Sequence, residues 1–100
     1  MINREILMVN GKEVEGVLIK SPGGEGRPNM IVLVCKKGFI MCGYLNQEAA
    51  TNFGDVACVI GGSSFDDILA NPVKAVLPEA EKLGIKIGMT GNEVCDILNK

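Results

Sequence analysis

Met30-Ile-Val-Leu-Val-Cys-Lys-Lys-Gly-Phe-Ile-Met-Cys-Gly-Tyr-Leu-Asn46 is the stretch that decides the fold. Two apolar runs, Met30 to Cys35 and Phe39 to Cys42, flank Lys36-Lys37-Gly38. Short apolar runs bounded by turn residues read as buried strands, here at the centre of a sheet. Gly38 suits the left-handed position of a three-residue hairpin, which sets Val32 opposite Cys42. A two-residue turn would set Leu33 there instead and force Lys37 to a positive φ, so the three-residue form is expected. The second strand then runs straight into a helix start, with Cys42 at the junction.

Towards the N-terminus, Glu5 to Ile19 contains Asn10-Gly11, a pair that tolerates positive φ at both central positions of a type I′ turn. Val9 falls opposite Lys12 and Leu7 opposite Val14. Leu7, Val14 and Leu18 therefore share the core face, while Glu13 and Glu15 point away. Ser21-Pro-Gly-Gly-Glu-Gly-Arg-Pro28 has three glycines and two prolines in eight residues and reads as a loop.

Towards the C-terminus, Asn46 caps a helix over Gln47 to Phe53 that Gly54 ends, with Ala49, Ala50 and Phe53 inward. Asp55 to Ile60 is a fifth strand. Gly61-Gly-Ser-Ser64 opens a helix from Phe65 to Ala70, and Val73 to Leu77 forms a short strand. Pro78 and Gly84 bracket another helix, Ile85 to Gly88 reads as extended, and Thr90 with Glu93 makes a capping box for a last helix with Val94, Ile97 and Leu98 on one side. The expectation is a single α+β domain over 1–100. Its mixed sheet is built from two N-terminal hairpins plus later strands, with three or four short helices mainly on one face.

Composition closes several chemistries. Histidine is absent, which removes Ser-His-Asp triads, Cys-His dyads and imidazole metal sites. A net charge of −2 with only four aromatic residues offers neither a basic stripe nor a stacking platform, so no nucleic-acid binding is expected. The longest apolar run has six residues, far short of the roughly 20 of a membrane helix, and the N-terminus lacks the pattern of a secretory signal. No membrane association and a cytoplasmic location are expected. Cys35, Cys42, Cys58 and Cys95 form no C-x-x-C pair, and Cys35, Cys58 and Cys95 read as buried core thiols. No metal and no cofactor are expected. With 47% apolar residues and a positive mean hydropathy of +0.26, a chain this small has more apolar surface than it can hide, so a homo-oligomer is expected.

Gly38 to Asn46, Phe65-Asp-Asp-Ile-Leu69 and Leu83 to Glu93 together resemble the YunC-like family, a small bacterial and archaeal domain of unknown function. The resemblance covers most of the chain and implies an α+β fold with a mixed sheet, without a reaction, substrate or cofactor. Cys42 and Gly43 match the family's Met-Cys-Gly step, and Gly88, Met89 and Gly91 match its C-terminal signature. Asn92 to Cys95 and Gly61 to Ser64 depart from the family's pattern.

The candidate catalytic residues are Cys42, at a strand end where helix N–H groups favour negative charge, and Tyr44, a donor on the same side. The plainer readings are a core thiol beside Val32 and Ile40 and an aromatic packed at a helix start. Candidate ligand-binding residues are Gly43, the Gly61-Gly62-Ser63-Ser64 turn, Gly88, Thr90 and Gly91, all near helix starts, with Arg27 as a clamp for a small anionic ligand. Against these stand ordinary capping by Ser64 with Asp67 and by Thr90, and a solvated Arg27. Asp66-Asp67 serves the helix dipole rather than a metal. Two functions follow. One is a non-catalytic homo-oligomeric module binding a small ligand or a protein partner; the other is a thiol-dependent enzyme with Cys42 as nucleophile and a helix N-terminus as anion hole.

Overall fold

Asn10 and Gly11 take φ of 53° and 81°, and this turn joins β1 (Ile2–Val9) to β2 (Lys12–Ile19) with Val9 opposite Lys12 and Leu7 opposite Val14. The expected register holds. The computed structural model describes residues 2–20 and 29–100; the 21–28 loop, with Arg27, lies outside the described residues. β3 (Met30–Val34) pairs antiparallel with β2 and with β4 (Phe39–Met41). β5 (Ala57–Val59) pairs parallel with β4, and β6 (Ala75–Val76) antiparallel with β5. The result is a six-stranded mixed sheet in the order β1-β2-β3-β4-β5-β6.

The β3–β4 register differs from both expected forms. Val32 faces Met41 and Val34 faces Phe39, and the Cys35 N–H donates to Gly38 O at 2.8 Å. Lys36 and Lys37 therefore stand alone at the tip, and Cys42 lies beside Ile31, its N–H donating to Ile31 O at 3.1 Å. Turn chemistry does not decide this; the neighbouring helix does. The Lys37 N–H donates to Leu98 O at 2.8 Å and the Lys36 N–H to Asn99 Oδ1 at 2.8 Å. The tip thereby satisfies a carbonyl that the C-terminal turn of α4 (Gly91–Leu98) leaves without an intrahelical partner. Gly38 is required for a different reason than a left-handed φ: a Cβ there would collide with Val56 O.

Four helices flank the sheet among the described residues. α2 (Phe65–Ala70) and α4 cover the face that presents Val14, Ile31, Leu33, Ile40 and Cys58, with Phe65, Ile68, Val94, Cys95 and Leu98 buried between. Gly16 lets the Phe65 ring lie against β2, since a Cβ would sit 2.8 Å from its Cε1. Burying that ring contributes about 1.5–3 kcal/mol. α3 (Pro78–Glu81) adds Ala80 to the same core. α1 (Gln47–Asn52) packs on the opposite face, where Ala50 meets Ala57, Leu77 and Phe39.

Two further expectations are corrected. Phe53 is not inward: it is the residue past the last turn of α1, its N–H bonded to Ala49 O, and it is 84% exposed. Ile85 to Gly88 is not extended, because Gly88 at φ 96° turns the chain and donates to Val73 O at 3.1 Å. The capping box is present, with the Thr90 N–H donating to Glu93 Oε1 at 3.1 Å.

Gly38→Ala places a methyl against the Val56 carbonyl, a backbone group that has no rotamer with which to yield. We expect a loss of about 1–3 kcal/mol, seen as a lower urea midpoint at unchanged slope.

Candidate functional site

β4 and β5 are the parallel pair of this sheet, and parallel neighbours need a crossover, here through α1. The chain leaves β4 for α1 on one face and leaves β5 for α2 on the other. Where consecutive connections part to opposite faces, the carboxyl ends of the strands leave a crevice between them. A cavity of about 370 Å³ lies there, lined by Asn29, Cys42, Gly43, Tyr44, Gly61 and Gly62. Its size is at the low end of the roughly 300–1,000 Å³ of small-molecule sites.

Cys42 is 4% exposed, and its Sγ accepts the Ile31 N–H at 3.4 Å. The amide that meets the sulfur is thus from β3, not from α1. The α1 N-terminus is closed by its own cap, with Asn46 Oδ1 accepting the Ala49 N–H at 3.0 Å. Asn29 ties the cavity wall together: its Nδ2 donates to Ser63 O at 3.1 Å. Gly61 is held by Asn71, whose Nδ2 donates to its carbonyl at 2.7 Å. Lys74 brings a positive charge alongside, since a Cβ on Gly61 would lie 2.8 Å from its Nζ.

Ser63 and Ser64 have a capping role. Ser64 Oγ accepts the Asp67 N–H, while the Ser63 N–H and Oγ both donate to Asp67 Oδ2, each at 3.1 Å. These Ser63 bonds hold the Asp67 carboxyl below its ordinary pKa. The carboxylate occupies the start of α2, so a second anion would not be favoured there. Gly88, Thr90 and Gly91 are not in the cavity wall. Thr90 bridges Pro72, and Gly91 lies so close to α2 that a Cβ would strike Ile68 O.

Cys35, Cys58 and Cys95 are free and buried, as the apolar context of each implies. Burial and the neighbouring Cys35 push the Cys58 thiol up to about 12, and a hydrogen bond to Cys35 together with burial pushes Cys95 upward as well. Both stay protonated at neutral pH. Among the described residues, no group of three His, Cys, Asp or Glu side chains is arranged to hold a metal ion, and no helix is long and apolar enough to cross a membrane.

The sequence alone points to neither Asn29 nor Lys74. Continuing the observed β3–β4 register beyond Ile31 and Cys42 puts Asn29 across from Tyr44. An incorrect register concealed that pairing. Lys74 carries no motif at all; the backbone bond of its N–H to Val59 O at 2.8 Å, beside the end of β5, sets its place.

A single mixed sheet flanked by short helices, with a crevice at the ends of a parallel strand pair, defines a small α+β domain. The family model described as "Domain of unknown function (DUF1805)" matches residues 41–98, a span that contains Cys42, Gly43, Tyr44, Gly61 and Gly62. The chain belongs to this family. It is 34% identical over 98 residues to the uncharacterized protein YunC of Bacillus subtilis (strain 168), covering 93% of each chain. It also superposes with a TM-score of 0.86 and 31% identity on the crystal structure of a protein of unknown function, TA1206, from Thermoplasma acidophilum, covering 99% of this chain and 94% of that one. The YunC-like resemblance and the α+β fold are both confirmed.

The Asp67 contribution has a definite pH sense. A carboxyl held below its ordinary pKa adds stability above that ordinary value and loses it as the pH falls through the folded-state value. Asp67→Asn should therefore show a shallower decline of melting temperature on acidification than the native chain.

Proposed function

We propose that this chain is a non-catalytic, homo-oligomeric module that holds a small ligand in the cavity at the carboxyl ends of β4 and β5. The observation that carries this reading is the cavity's place, at the point where the β4 and β5 connections part to opposite faces of the sheet. Lys74 beside Gly61 favours an anionic group on the ligand there, whereas Asp67 lies beside Gly62. Four reduced cysteines suit a cytoplasmic setting.

Gly43 provides the test. A Cβ added there meets nothing within 4 Å and Gly43 lines the cavity, so Gly43→Phe brings a bulky ring to the cavity wall without a backbone clash. In a thermal-shift screen of small carboxylates and phosphates, a ligand at one hundred times its Kd raises stability by about 2.7 kcal/mol. We expect such a shift for the native chain and its loss in Gly43→Phe at unchanged unliganded melting. A shift retained in Gly43→Phe places the ligand elsewhere and refutes this site.

A second reading has one specific observation in its favour: the Cys42 sulfur is on the cavity wall and already accepts a backbone N–H, as a developing thiolate would require. Alkylation with iodoacetamide separates the two. On the binding reading, Cys42 is modified before Cys35, Cys58 and Cys95 but no faster than a free thiol at neutral pH. Modification well above the free-thiol rate would make Cys42 a nucleophile and displace the non-catalytic reading.

A further inference from the structure

Cys35, Cys58 and Cys95 belong to one buried cluster, and the cavity uses none of them. The backbone sets two of them side by side. Cys35 follows the last residue of β3, and its N–H closes on Gly38 O at 2.8 Å. The next two residues are tied to the end of α4, Lys36 through Asn99 Oδ1 and Lys37 through Leu98 O, each at 2.8 Å. The Asn99 N–H donates in turn to Cys95 O at 3.0 Å, so Cys95 stands one helical turn behind the residue that holds the tip. The two side chains meet in the core, where the Cys95 S–H donates to Cys35 Sγ.

We infer that Cys35 and Cys95 form a redox modification site, a thiol pair that a small hydroperoxide converts to a disulfide within the chain. The inference is independent of what the cavity binds and of how many copies associate. Two observations select this pair. The first is reach. Leu33 of β3 faces Ile40 of β4, and Ile40 faces Cys58 of β5, so Cys35 and Cys58 are separated by two strand spacings, roughly 9–10 Å. A disulfide spans at most about 7 Å between Cα atoms. Cys42 lies beside Ile31, four residues back along the chain from Cys35 and on the order of 13 Å away. Only Cys95 touches Cys35 by hydrogen bond.

The second is asymmetry. Cys35 is 9% exposed and Cys95 1%, so an oxidant that reaches the pair meets Cys35 first. The hydrogen bond from Cys95 holds the Cys35 thiol below its ordinary pKa against the opposing effect of burial, and the same bond keeps Cys95 protonated. A more acidic, more accessible thiol beside a protonated one is the arrangement of an attacking and a resolving cysteine.

The chemistry closes in two steps. Cys35 Sγ attacks the terminal peroxide oxygen; the S–O bond forms, the O–O bond breaks, and the leaving oxygen takes up the proton that Cys35 gave up. Cys95 Sγ then attacks Cys35 Sγ; the S–S bond forms, the S–O bond breaks, and hydroxide leaves as water with the Cys95 proton. Each sulfur loses one electron and the peroxide gains both. No atom is added to the core, whereas an alkyl group on Cys35 would have to be housed there, so the pair answers to a hydroperoxide and not to iodoacetamide in the folded chain. The bond closes a loop of about sixty residues at the junction of the tip with α4, which restricts the unfolded chain.

Tryptic mapping without reductant tests the inference, because cleavage after lysine separates the thiols. Cys35 falls on the peptide that ends at Lys36, Cys42 and Cys58 share the peptide 38–74, and Cys95 falls on the peptide 87–100. The reduced native chain is treated with hydrogen peroxide without denaturant, and remaining thiols are then blocked with maleimide in urea. We expect free thiols to fall from four to two, the Lys36 peptide to be joined to 87–100, the chain to run as a single copy on a non-reducing gel, and the melting temperature to rise until dithiothreitol is added. Cys95→Ala should leave Cys35 as a sulfenic acid that dimedone traps, and Cys58→Ala should keep the link. A link from 38–74 to either peptide, a covalent two-chain species, or Cys35 and Cys95 both recovered as maleimide adducts overturns the assignment. Linkage that forms only when peroxide and urea are present together overturns it as well, and the native-chain map needs neither variant to fold.

Discussion

Three segments far apart in sequence meet at Asn99, and the rest of the structure depends on that junction. Asn99 is 8% exposed; its Oδ1 accepts the Lys36 N–H at 2.8 Å and its carbonyl accepts Lys12 Nζ at 3.1 Å. Leu98 O accepts the Lys37 N–H in the same place. A buried polar side chain is costly unless its partners are all present, so the β1–β2 hairpin, the β3–β4 tip and the end of α4 are held in one arrangement. Moving the tip by one residue would break both of its bonds and turn each side chain of β4 to the wrong face.

From that register the site follows. Ile40 faces the core, Cys42 comes to rest beside Ile31, and the parallel pairing of β4 with β5 carries Gly43 and Gly61 to the same end of the sheet. The divergence of the two following connections leaves the crevice between them. Its walls are glycines, a thiol and a phenol ring on strand ends, positions that the core around Ile40, Cys58 and Ile60 holds rigidly. The same division of labour leaves one sheet face half covered: α1 is too short to shield more than the β4–β5 strip.

Much of this was legible beforehand. Asn10-Gly11, Asn46, Ser64 with Asp67, and Thr90 with Glu93 act through neighbours within four residues, and each turn or cap formed as its residue types dictate. Cys42, Gly43, Tyr44, Gly61 and Gly62 are legible as candidates because they sit where strands end. Gly88, Thr90 and Gly91 shared the same local signature and proved to serve a turn, a cap and a close helix approach. Local chemistry looks alike in both cases; only the direction in which the turn faces tells them apart.

The amino-acid sequence by itself determined the strands, the caps, the hairpin at Asn10-Gly11, the four reduced thiols and the exclusion of histidine chemistry, because those depend on residue type and short spacing. Tertiary structure alone decided the β3–β4 register, the place of Asn29 in the cavity wall and of Lys74 beside Gly61, and the exposure of Phe53 and of the β1–β3 outer face. The first of these rests on two hydrogen bonds from the Lys36-Lys37 tip to the end of α4, about sixty residues away, a pairing that no local residue pattern announces.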